Sequence, residues 1–124
     1  MEYIENIPIY LQIKDYLEEK IITESYSLGE QMPSVRQLAL ELAVNSNTVQ
    51  KALKVMIEEG VIITLRGKGN FVTENATIVE ELKNQIVNET FDSAYDKLHL
   101  LKMDNQEITN SFSNYVKQKE KKLE

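Results

Sequence analysis

Ile9, Ile13, Leu17 and Ile21 recur every four residues, with Tyr10 and Tyr16 beside them. That is the spacing of one buried helix face. It predicts a first helix from Pro8 to about Thr23, with Pro8 in the first turn, where a missing N–H costs nothing. Gly29 and Pro33 then punctuate a turn. Ser34 follows as an N-cap, and Gln37 three residues later completes a capping-box pattern. A short helix over 34–42 results, with Val35, Leu38, Ala39 and Leu42 turned inward. After the tight turn Ala43-Val44-Asn45-Ser46, a third helix runs to Glu59. Gly60 stands just past its end, where a positive φ is usual.

Two β-branched or aromatic runs, 61–65 and 70–73, flank Arg66-Gly67-Lys68-Gly69, which reads as a β-hairpin. All four Gly and both Pro lie before residue 75. From there the pattern is helical. Ile78, Val79, Leu82, Ile86, Val87 and Phe91 form an apolar stripe, continued by Ala94, Tyr95, Leu98 and Leu101. Asp104 and Glu107 fit a capping box that opens a last helix, with Ile108, Phe112, Tyr115 and Val116 on its apolar side. No Gly stands near Lys102, so one continuous helix with Asn105 as a polar seam residue remains open beside two helices. The expected fold is mainly α. A winged helix-turn-helix domain (1–74) with a small β-hairpin wing precedes a C-terminal helical dimerisation extension (75–124).

On a wheel of about 100° per residue, Val49, Ala52, Leu53 and Met56 share one side of the third helix. Asn47, Gln50, Lys51, Lys54 and Glu58 share the other. Asn and Gln amides suit bidentate bonds to adenine, and Lys suits guanine or phosphate. An arbitrary helix with this face is merely solvated. Here it follows a short helix and a tight turn, the arrangement that presents a helix to a major groove. Ser34 and Arg36 sit at the N-terminus of the leading helix, whose free amides favour a phosphate. The turn at 66–69 is either a cationic wing able to approach a minor groove or a plain glycine turn with solubilising charges. It lacks the spacing of a phosphate-binding P-loop.

Composition changes the picture in two ways. The chain has no Cys and a single His, His99, which excludes disulfides and thiolate chemistry and leaves no triad or His-rich metal site. No catalytic residue, metal ligand or cofactor site is assigned. His99 reads as a surface helix residue. The formal charge of −6 argues at first against nucleic acid. Its distribution reverses that: residues 1–33 carry −5 and the tail −2, whereas residues 34–73 carry +2. The reading elements occupy the one positive segment. No apolar run is long enough to span a membrane and the N-terminus has no basic signal-like region, so a cytoplasmic location is expected.

IPIYLQI at 7–13, LGEQMPSVRQLALELAVNSNTVQKAL at 28–53, EEGVI at 58–62 and RGKGNFV at 66–72 together resemble the GntR family of bacterial transcription regulators. The short tail is similar to that of the YtrA-type subgroup, whose members carry a small helical dimerisation extension. The resemblance implies DNA binding by Arg36, Asn45, Asn47, Thr48, Gln50 and Lys51, and minor-groove contact by Arg66, Gly67, Lys68 and Gly69. Lys51 stands where such members commonly have Arg, which trades a bidentate fork for a point charge. Leu65 stands where a second basic residue is common.

About 50 residues of amphipathic helix cannot bury their stripe alone. Pairing with a second copy is the economical solution, packing on the winged domain the alternative. The dimer positions are Ile78, Leu82, Ile86, Phe91, Leu98, Leu101, Ile108, Phe112 and Tyr115. The expected function is sequence-specific regulation of transcription, as a repressor, by a homodimer on a pseudo-palindromic DNA operator. A small-molecule effector is left open with no residue assigned. The rival is a winged-helix protein–protein adaptor that does not touch DNA.

Overall fold

In the computed structural model, which describes residues 1–123, Ser34 and Gln37 satisfy each other's backbone at the start of α2 (Val35–Leu42). The Ser34 hydroxyl accepts from the Gln37 N–H at 3.1 Å, and the Gln37 side chain accepts from the Ser34 N–H at 2.9 Å. Such a cap stabilises a helix by about 1 kcal/mol. In a helix of only eight residues it satisfies a sizeable share of the free N–H groups.

Before it, α1 spans Ile9–Ile22. Pro8 is not in its first turn, as expected from sequence, but is the N-cap, with ψ 134. Its carbonyl accepts from the N–H groups of Leu11 and Gln12, while the extended ψ lets the preceding arm turn away. The buried stripe begins one turn later than the spacing suggested: Ile13, Leu17 and Ile21 are buried, but Ile9 is 43% exposed. Gln12 takes up that arm. Its amide donates to the Ile4 and Ile7 carbonyls and accepts from the Ile4 N–H. Tyr3 then reaches the α2 end, donating its hydroxyl to the Leu42 carbonyl at 2.6 Å.

Ala43 turns the chain in the left-handed region, φ 55, and α3 follows over Ser46–Glu58. Val49, Ala52, Leu53 and Met56 are buried, as their spacing predicted. Gly60, φ +79, ends the helix. The core joins these residues to Leu38 of α2, Ile13 and Leu17 of α1, and Val61, Ile62 and Val72 of the hairpin.

Strands β1 (Ile62–Leu65) and β2 (Gly69–Val72) pair antiparallel, Ile62 opposite Val72 and Leu65 opposite Gly69. A third partner lies where the sequence suggested only a turn. Met32 N–H donates to the Asn70 carbonyl and Val72 N–H to the Glu30 carbonyl, both at 2.8 Å, with Gln31 bridging Phe71. The segment 29–32 thus covers an edge that a bare hairpin would leave unpaired.

The chain divides into two compact units, Met1–Lys83 and Asn84–Glu124. Helix α4 (Ala76–Leu100) begins in the first, where Leu82 is 5% exposed and Ile78 half-buried. In the second unit α4 ends and α5 (Asn105–Leu123) begins, so the extension holds two helices. Lys102 takes the left-handed conformation, φ 65. Met103 N–H bonds to Leu98 O and Lys102 N–H to His99 O, the paired bonds of a Schellman end. Asp104 then caps α5, accepting from Glu107 N–H at 2.8 Å. Its own N–H reaches the Glu107 carboxylate at 3.4 Å.

Candidate nucleic-acid interface

Helix α3 is held by its ends and by α1. Asn45 is the N-cap of α3, its Oδ1 accepting from both the N–H and the hydroxyl of Thr48 at 2.9 Å. Both were singled out only through the family resemblance. Their observed contacts are with each other, a capping arrangement legible in Asn-x-x-Thr before an apolar run. Asn47, Gln50, Lys51 and Lys54 are exposed along one face, and Thr48 is half-buried at its edge.

Against the other flank lies α1. Lys14 Nζ stands 2.9 Å from Glu18 and 3.4 Å from Glu59, bridging α1 to the end of α3. Glu18 is 1% exposed, and its second oxygen has no partner among the described residues. Burial pushes the Glu18 carboxyl above its usual range, against the opposing pull of Lys14. The hydrogen bond and charge of Glu18 push Lys14 up, overcoming its partial burial. One turn before Lys14, Tyr10 lies under Lys51, whose Nζ is 4.3 Å from the ring centroid. The sequence placed Tyr10 beside the α1 stripe but gave no signal of this contact.

The wing is equally built. Lys68 N–H donates to the Leu65 carbonyl at 2.9 Å, closing a four-residue turn whose third position is Gly67, φ +78. That conformation is cheap only for Gly. Gly69 also has a positive φ, +116, and a Cβ there would stand 3.1 Å from Gln31 Nε2, so that side chain would have to give by a few tenths of an ångström. Across the strands Thr64 bonds Asn70 at 2.7 Å. Arg66 and Lys68 project from this turn, exposed.

An open groove of about 910 Å³ separates the wing from the N-terminus of α2, walled by Gln31, Ser34, Gln37, Arg66 and Lys68 among others. Ser34, Gly67, Lys68 and Gly69 thus come together. Arg36 is exposed on α2 but does not line the groove. The Ser34 hydroxyl is already engaged by Gln37. What remains is a polar reading helix and a cationic hairpin flanking a helix N-terminus, an arrangement suited to groove and phosphate contacts. Among the described residues no cluster of His, Cys, Asp or Glu is suited to a metal ion, and no helix is long and apolar enough to cross a membrane.

The positions expected from sequence to dimerise fall into three groups. Ile78 faces Gly60 of its own unit, its Cδ1 3.7 Å from where a Gly60 Cβ would stand, and Leu82 is buried there. Both stand within the first unit's packing. Ile86, Leu98 and Ile108 are half-buried. Phe91, Leu101, Phe112 and Tyr115 are each more than half exposed, at 59, 61, 57 and 53%. Tyr95 and His99 both bond Asn105 Oδ1 at 2.9 Å, so Asn105 ties α5 to the end of α4.

These elements define a winged helix-turn-helix protein. The family of bacterial regulatory proteins called gntR matches residues 9–72, and the chain belongs to that family. It is a DNA-binding regulator of transcription and not an enzyme, and the adaptor reading is not favoured. It is 32% identical to the uncharacterized transcriptional regulator YhcF of Bacillus subtilis, over 88% of this chain and 90% of that one. It is 39% identical to the transcriptional repressor YtrA of the same organism, over 77% and 78%. A GntR family regulator from Listeria monocytogenes has a similar structure, with TM-score 0.84 and 31% identity over 90% and 98%.

Proposed function

We propose that this chain represses transcription by seating a homodimer on a pseudo-palindromic operator, in the cytoplasm. Each α3 enters a major groove and each 66–69 wing the adjoining minor groove. The observation that carries this reading is the α3 face. Asn47, Gln50, Lys51 and Lys54 are all exposed there, within residues 34–73, which carry a net charge of +2 against −5 in residues 1–33 and −2 in the tail. Amides address bases and the lysines address phosphate. The repressor YtrA, similar over most of both chains, supports the sign of regulation.

Dimerisation is supported by the second unit. Its two helices leave Phe91, Leu101, Phe112 and Tyr115 open to solvent, apolar surface that pairing with a second copy would cover. A two-fold pairing through them implies half-sites about 10 base pairs apart, or a multiple of that.

The test is a mobility shift at low salt with duplexes tiling the DNA upstream of the protein's own operon, with sedimentation of protein and complex. Retardation by a complex of two chains is expected, with loss of reporter repression on deletion of the gene. Absence of retardation across the region would overturn the reading.

A further inference from the structure

Lys51 lies on the exposed face of α3, on the side next to α1, where Tyr10 meets it. On the helical wheel it stands about 40° from Asn47, toward Val55 and Glu59, and Glu59 meets Lys14 of α1. Asn47 and Lys54 project from the middle of the exposed face, and Gln50 stands about 60° from Asn47 on the side away from Lys51. Among the described residues no carboxylate pairs with Lys51; its ammonium rests over the Tyr10 ring, 4.3 Å from the centroid. The geometry points to Tyr10 as a positioning residue that holds Lys51 at the α1 edge of the reading helix, aimed at backbone phosphate.

The physical reason is the difference between a ring and a carboxylate. A carboxylate would neutralise the ammonium, whereas the ring quadrupole attracts it and leaves its charge intact. The ammonium carries three N–H donors. With the ring beneath it, donors on the open side stay free for a phosphate oxygen. A free lysine also loses rotamer freedom when a ligand orders it, and a side chain already ordered on Tyr10 loses less. Tyr10 is itself held, being half-buried in the first turn of α1. The rigid partner is therefore the ring and the adjustable one the lysine.

This inference rests on the DNA-binding reading of α3. It is tested on a duplex selected from a random library by the wild-type protein. The variants are Tyr10→Phe, Tyr10→Leu, Lys51→Met and the double variant Tyr10→Leu/Lys51→Met. Tyr10→Leu keeps apolar volume but removes the quadrupole, and should weaken binding about three- to tenfold. Tyr10→Phe should bind as wild type. In the Lys51→Met background, Tyr10→Leu should have no further effect, and none of the Tyr10 variants should alter the selected consensus.

A purely structural role for Tyr10 predicts equal losses in both backgrounds, with a lowered unfolding temperature. Equal losses, a defect in Tyr10→Phe as large as in Tyr10→Leu, or a changed consensus would each overturn the inference. Wild-type affinity in Lys51→Met would overturn it as well. Failure of the wild-type protein to select any duplex would strike the DNA reading itself.

Discussion

The side-chain amide of Gln31 donates to the backbone carbonyl of Lys68 at 2.8 Å, across 37 residues of sequence. It pins the tip of the wing to the segment that leads into α2. The cationic wing and the segment before α2 are thereby joined by a side chain in addition to the backbone bonds between residues 29–32 and β2. The same amide lies beside Gly69.

Replacing Gln31 with alanine should loosen the tip while leaving the core intact. A hydrogen bond of this kind contributes about 0.5–1.5 kcal/mol, so operator affinity should fall about two- to tenfold. Backbone amide exchange should quicken at the wing tip and remain unchanged in α3. Unaltered exchange at residues 66–69 would show that the bond does not hold the wing.

Base-reading and phosphate-binding residues should separate by their signatures. Gln50→Ala should relax preference at one base position by about 1–3 kcal/mol with little change in salt dependence. Lys68→Ala should weaken binding to all sequences and reduce the salt slope by about one unit. Titrations at several salt concentrations, on the selected site and on single-base variants of it, distinguish the two.

Glu18 should leave a mark on stability against pH. Its folded-state pKa is raised above the usual 4.5, chiefly by burial, so the folded protein binds this proton more tightly than the unfolded chain does. The sign follows from linkage: this group's stabilising effect is complete below 4.5 and is lost as pH rises through the folded value. Glu18→Gln keeps an acceptor for Lys14 and removes the titration. Thermal unfolding from about pH 4 to 7 should therefore show a smaller decline for the variant than for the parent. Parallel profiles would contradict it.

Phe112 is 57% exposed on α5 and lies about 6.2 Å by ring centroid from Tyr115. If this face joins two copies, Phe112→Glu should weaken the dimer by about 2 kcal/mol or more, near thirtyfold. The helix content should hold, because the side chain is largely outside the core. Sedimentation at low micromolar concentration reads the change.

Much of the winged unit was legible because its signals are local. A capping box, a residue of positive φ at Gly60, and the 3.6-residue spacing of Val49, Ala52, Leu53 and Met56 each act within a few residues. The break between α4 and α5 was half legible. Asp104 and Glu107 announced a helix start, but no Gly announced the end before it. Lys102 adopts the left-handed conformation itself, which costs a non-glycine residue about 1 kcal/mol. The two bonds of the Schellman end offset that cost.

The sequence by itself determined the order of elements, the composition of the reading face, and where positive charge collects. These depend on residue type and short-range spacing. Only the tertiary structure decided which side chains meet around that face and the wing. Gln31 meets Lys68, Tyr10 meets Lys51, and Lys14 bridges Glu18 and Glu59. The pairing of residues 29–32 with β2 belongs to the same class. Apart from the Lys14–Glu18 turn, each joins residues far apart in the chain, and no local periodicity encodes such a meeting. It follows from how the helices pack around one apolar core, and that packing is a property of the whole unit.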